Sequence, residues 1–240
     1  MALTKVIGSG VGELTNKVGL GLSSPAAALH VQTSTDGTGL SGDDIYVARF
    51  HNQEATSDRS FGVDIQAGSS TTDQALRIKD HDGTNTLMIV DGLGHVTKPL
   101  QPAFYAVVNS SQDNIATGQW HVIIFGLERF DSNADFNNSN GTFTAPVTGK
   151  YQLNTSIRLT AADTAANAYL FRLNGSNRAP IANYDGNQYA TDTEITVQLS
   201  ALLDMDANDT VTVEVYQDGG TAQTDIQNGE YSFFNGILVG

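Results

Sequence analysis

The feature that most constrains this chain is the two-residue rhythm of its apolar segments. Val211, Val213 and Val215 alternate with Thr212, Glu214 and Tyr216, and Phe61, Val63 and Ile65 alternate with Gly62, Asp64 and Gln66. Successive side chains of an extended strand point to opposite faces, so this pattern sets one face on a core and leaves the other in water. From Ala103 onward such segments recur at Phe104–Val108, His121–Phe125, Thr142–Ala145, Tyr151–Leu159, Ala168–Leu173, Ile195–Leu203, Val211–Tyr216 and Tyr231–Val239. Short strands at this density predict an all-β sandwich or jelly roll. Between Lys17 and Val96 no helical period competes with them.

Composition narrows the classes further. The 240 residues include 24 Gly and no Cys, and charged residues make up 16%. Without Cys there is neither a disulfide framework nor a thiolate zinc site. Ten Phe within a 40% hydrophobic chain suffice for a core. The net charge of −14 repels phosphate, so no nucleic-acid partner is expected. No apolar run approaches the roughly 20 residues of a membrane helix, so no membrane insertion is expected. Met1–Asn16 lacks the apolar stretch of a signal peptide.

The chain reads as three parts. Residues 1–16 form an arm whose sizeable apolar groups are Val6, Ile7, Val11 and Leu14; too small to bury a core, it is expected to order against another protein. Residues 17–100 form a small β-rich module. In it Tyr46, Ala48 and Phe50 share one strand face, and Leu87–Val90 reads as a strand covered on both sides. Asp36-Gly37, Asp82-Gly83 and Asp91-Gly92 read as turns with positive φ at the Gly. Pro99 and Pro102 mark a boundary, and residues 101–240 form the jelly roll. The more acidic part is this last one, with 5 basic and 15 acidic residues against 7 and 11 before it.

Two segments carry resemblances. Gly141-Thr142-Phe143-Thr144-Ala145-Pro146-Val147-Thr148-Gly149-Lys150-Tyr151 resembles the signature stretch of the complement globular-head (C1q) family. Ala103-Phe104-Tyr105-Ala106 is similar to that family's first strand, and Phe130 and Phe136-Asn137 fall at its Phe/Asn positions. Leu202–Val213 resembles a strand pair of the family, with Asn208-Asp209 at the turn where the family has Gly-Asp. Phe233-Phe234-Asn235-Gly236-Ile237-Leu238-Val239 resembles its closing strand. The resemblance implies a ten-stranded jelly roll assembled as a tight trimer. Val18-Gly19-Leu20-Gly21-Leu22-Ser23-Ser24-Pro25 followed by Ala28-Leu29-His30-Val31 resembles an element of bacteriophage tail fibres and related trimeric β-stems, with a degenerate copy at Asp91–Pro99. The collagen repeat that stalks vertebrate members is absent.

A Gly-rich module of roughly 80 residues is marginal alone, and three copies would supply one another's core and pair open strand edges. In the head, Phe104 and Tyr151 belong to the core or the subunit interface. Phe233 and Phe234 are adjacent and face opposite ways, so one fills the sandwich and the other is left for an interface.

Catalytic constellations are sparse. His30, His51, His81, His95 and His121 show no metal-ligand spacing, and no nucleophile elbow or phosphate loop occurs. No enzyme activity and no cofactor are expected. Calcium is the one ion whose ligands occur. Asp131-Ser132-Asn133-Ala134-Asp135 alternates oxygen ligands, and Asp204, Asp206 and Asp209 form a second cluster, near the trimer axis if the family geometry holds; both also suit turns. Between two strands, Asn174–Asp192 reads as a long loop in which Arg178, Tyr184, Asp185, Asn187 and Tyr189 have the composition of a carbohydrate- or protein-recognition site. Trp120 reads as core or interface.

The expectation is therefore all-β: an N-terminal arm, a small β-stem and a C-terminal jelly-roll sandwich, in a homotrimer. It would sit on the outside of a bacteriophage virion as a fibre, bound to capsid or tail proteins through the arm and displaying its head to a host glycan or protein. A trimeric capsid decoration protein is the alternative, and a bacterial adhesin or lectin a further one.

Overall fold

In the computed structural model, residues 63–176, 179–186 and 194–240 are described, together with a turn at Ser57 and the backbones of strands β1 (Val18–Leu20) and β2 (Leu29–Val31). The chain forms two compact units, Met1–Gln66 and Ala67–Gly240. In the first, β1 and β2 pair in parallel, Val18 opposite Leu29 and Leu20 opposite Val31. The two halves of the fibre-like motif thus lie side by side. The arm residues Val6, Ile7, Val11 and Leu14, the face of Tyr46, Ala48 and Phe50, and the Asp36-Gly37 turn lie outside the described residues. Val63 and Ile65 are exposed and in no strand, contrary to the alternation around them. Alternation makes a face, but a strand also needs a hydrogen-bonding neighbour, and these residues have none among those described.

The second unit opens with a three-stranded antiparallel meander, β3 (Gln74–Lys79), β4 (Thr86–Asp91) and β5 (Val96–Thr97). β4 is not covered on both sides. Leu87 is exposed, as are Ile78 and Val96 on its neighbours. A sheet of this size has no second layer of its own, so a continuous apolar strand stays half-open. The Asp82-Gly83 turn has its positive φ at Gly83, whereas in Asp91-Gly92-Leu93-Gly94 it falls on Gly94. Gly92 is instead a point of close approach, where a Cβ would meet the Ser69 backbone nitrogen at 2.7 Å.

Residues 103–238 fold as a jelly-roll sandwich. Its strands are β6 (Ala103–Val108), β7 (Gln112–Ile115), β8 (Trp120–Val122), β9 (Leu127–Asp131), β10 (Phe136–Asn137), β11 (Thr142–Thr144), β12 (Gly149–Thr160), β13 (Ala166–Gly175), β14 (Ile181–Asp185), β15 (Ile195–Met205), β16 (Thr210–Gly219), β17 (Thr224–Ile226) and β18 (Gly229–Leu238). The first sheet runs β15-β12-β18-β6-β9, with β17 and β7 continuing beyond the end of β12. In the second, β16 pairs with β13, then β14, on one side and with β8, β11 and β10 on the other. Every pairing between these strands is antiparallel, and one isolated parallel bridge joins Thr117 to Gln217 of β16.

Phe104, Phe136, Phe143 and Phe234 form the centre of the core, the first three stacked within 5 Å of one another through Phe104 and Phe234 set edge-on at 4.9 Å. Gly236 makes room for this, since a Cβ there would meet the Phe104 ring at 2.7 Å. Tyr151 is also buried, donating its hydroxyl to the Val147 carbonyl at 2.7 Å.

Candidate interaction surface

The inner faces of both sheets are used up by the core; the outer faces differ. On the first sheet the outward positions fall in cross-strand rows. One row is Leu202, Gln152, Ile237 and Ala103; the next is Ser200, Asn154, Asn235, Tyr105 and Phe130; the third is Gln198, Ser156, Phe233, Val107 and Leu127. Leu202, Ile237, Phe130 and Leu127 are all exposed, Leu202 at 55% and Phe130 at 53%. Phe233 is half-buried against Tyr105, ring centroids 5.4 Å apart, and Tyr105 stacks on Phe130 at 6.4 Å. Exposed aromatic and aliphatic groups thus flank a polar middle row on this face, while Ser156 and Val107 in the third row are buried. Patches of this kind on soluble proteins mark interaction sites.

Charged groups rim the face. Glu230 accepts from the Arg129 guanidinium, its Nε at 2.8 Å, and from the Tyr105 hydroxyl at 2.9 Å. Arg129 and then Tyr105 hold the Glu230 carboxyl below its usual range, while burial first, and Glu230 second, push the Tyr105 phenol up. Arg158 pairs with Glu194 and lies over the Tyr231 ring at 4.8 Å.

The second sheet's outer face is finished differently. Glu214 is buried and takes four hydrogen bonds: Oε2 from Arg172 Nε at 2.9 Å and Nη2 at 2.6 Å, Oε1 from Asn174 Nδ2 at 2.7 Å and the Thr212 hydroxyl at 3.0 Å. The Arg172 guanidinium lies 4.0 Å above the Trp120 ring, and Trp120 meets Tyr216 at 5.4 Å. Trp120 is half-buried, part of neither the core nor an open face.

The expected site residues distribute as follows. Phe104, Tyr151 and Phe234 are interior, and Phe233 is the member of its pair that turns outward. Ile181–Asp185 is a strand rather than loop: it pairs with β13, and Tyr184 packs edge-on to Phe171 at 6.3 Å. A short segment beside an unfilled sheet edge gains a ladder of hydrogen bonds by joining it. Asp185 is exposed, and Arg178, Asn187 and Tyr189 lie outside the described residues.

Among the described residues no three acidic or histidine side chains approach closely enough to hold a metal ion. Asp209 accepts from the Asp206 backbone nitrogen at 3.0 Å, and Asp204 sits on β15 opposite Lys150. Asp131 caps its own loop, receiving the backbone nitrogens of Asp135 at 3.1 Å and Phe136 at 2.9 Å. Both segments use their carboxylates as turn caps. Asp135 lies beside an apolar cleft of about 640 Å³ walled by Leu87, Leu100, Pro102, Val147 and Leu238. Burial first, and Asp131 next, raise its carboxyl above the usual range.

Comparison with known proteins agrees with this architecture. The family model described as the C1q domain matches residues 103–239. Among solved structures, the globular domain of zebrafish complement 1qA protein aligns with a TM-score of 0.44 at 20% identity, over 58% of this chain and 98% of that one. Murine APRIL aligns at 0.42 and 10% identity over 58% and 99%, and PRD1 vertex protein P5 at 0.42 and 12% over 59% and 99%. No curated protein matches the sequence. With the family model spanning more than half its length, the chain belongs to the C1q-domain family.

Proposed function

We propose that this protein is a structural, non-enzymatic component of the outer surface of a bacteriophage particle, a homotrimer that displays its jelly-roll heads. The observation that carries the homotrimer is the outer face of the first sheet, where Phe130, Leu202 and Ile237 are exposed beside the half-buried Tyr105 and Phe233 on a domain of this family. A neighbouring copy covering that face removes apolar surface from water at about 25 cal/mol per Å², and a head-to-tail contact between this face and a different part of the next copy forms a closed ring when its rotation closes.

The virion setting rests on the fibre-like motif at Val18–Pro25 and Leu29–Val31. Attachment is assigned to residues 1–16, with Val6, Ile7, Val11 and Leu14 as the apolar contacts. Three heads on one axis, repeated over a particle, give multivalent contact with a host glycan or protein without tight single sites.

Copy number on purified virions is the test. Tens of trimers or fewer support a fibre, hundreds identify a capsid decoration protein, and absence from virions overturns the virion reading altogether. Deleting residues 1–16 is expected to abolish incorporation while leaving a folded trimer. Incorporation of the truncated chain would show the arm is not the attachment.

A further inference from the structure

At the centre of the open face lies a polar island. Gln152 Nε2 donates to Asn154 Oδ1 at 3.2 Å and to Ser200 Oγ at 3.0 Å; Ser200 Oγ donates to Asn154 Oδ1 at 2.7 Å; Asn154 Nδ2 donates to Asn235 Oδ1 at 3.0 Å. These contacts cross β15, β12 and β18 and hold the four side chains in one ladder. Its two ends are unfinished. The Gln152 carbonyl and the Asn235 amide nitrogen have no hydrogen-bond partner among the described residues. One end offers an acceptor, the other a donor. Apolar groups flank them, with Leu202 and Ile237 opposite Gln152 on either side and Tyr105 beside Asn235.

We propose that this amide ladder sets the register of the contact between copies of this chain, the Gln152 carbonyl of one copy accepting from the Asn235 amide of another. The proposal rests on the homotypic reading of the face and adds what selects the partner. Apolar surface alone associates in many registers. A free donor and acceptor surrounded by apolar groups penalise every register that buries them unpaired. A single polar position inside an apolar interface can fix geometry and stoichiometry at a cost in affinity. A partner lacking matching amides would leave both ends unsatisfied, so the ladder favours a second copy over an unrelated apolar surface.

The test is sedimentation velocity of the full-length chain across a concentration series, with circular dichroism to verify folding. Wild type is expected to show one assembly mass. Gln152→Met and Asn235→Leu, which point away from the core, are expected to associate at least as strongly but to populate two or more masses. Asn235→Asp, which still accepts from Asn154 Nδ2 but sets an acceptor where the Gln152 carbonyl of another copy needs a donor, should require at least tenfold more protein for half-assembly. Ser200→Ala keeps the test open if one of these variants misfolds, and is expected to broaden the distribution in the same direction. Neutral variants that keep the single wild-type mass, or that fall apart into protomers, overturn the ladder's role. A monomeric wild type overturns the homotypic face itself, and so separates the two claims.

Discussion

The two outer faces of the sandwich carry similar residue types and reach opposite ends. On the second sheet, Glu214, Arg172, Asn174, Thr212 and Trp120 close on themselves, both oxygens of the carboxylate being filled. On the first sheet, Tyr105, Phe130 and Phe233 stack with Phe130 left exposed, and the amide ladder beside them ends in a free donor and a free acceptor. A face is a candidate interface when its polar groups are left over, not merely when its apolar groups are exposed.

That contrast can be broken at several points. The largest effect is expected at the core behind the open face, where Phe234→Ala should cost about 3–5 kcal/mol in denaturant unfolding. Its neighbour Phe233→Ala should change protomer stability by no more than about 1 kcal/mol yet weaken association, read by light scattering on the same sample. Equal destabilisation by both variants would remove the distinction between the two sides of β18. On the closed face, Glu214→Ala strands the Arg172 guanidinium and should cost about 3 kcal/mol with no change in assembly mass.

A smaller effect is expected from pH. Burial lowers the His121 imidazole below its ordinary value of 6.5, so the neutral ring is the folded form. Its contribution is therefore present above that value and lost as pH falls through the folded one. Urea midpoints at about pH 7.5 and about pH 5.5 should fall further for wild type than for His121→Gln. The smallest change is expected for Arg129→Ala at the rim, an exposed ion pair with no resolvable effect on melting.

Much of this architecture was legible in the sequence, and the parts that were not share a cause. Strands with long apolar alternation, such as Val211–Tyr216 and Tyr151–Leu159, sit where the pattern puts them. Gln112–Ile115, Ile181–Asp185 and Thr224–Ile226 are short and carry too little alternation to announce themselves; they are strands because a neighbour offers an edge. Val63 and Ile65 show the converse, alternation with no edge to join. Phe233 and Phe234 had to face opposite ways, but which one faced inward depended on the register of β18 with β6 and β12. The amide ladder was invisible for a stronger reason. Ser200 stands 46 residues from Asn154, and Asn235 stands 81, and only the strand order brings them together.

The central claim, that the first sheet's open face is covered by copies of the same chain, is tested most directly by solution mass. Light scattering on a sizing column at low micromolar concentration should give about three times the 25.5 kDa of the chain. A single species at 25.5 kDa would contradict it, leaving Tyr105, Phe130 and Phe233 as the surface of a monomer.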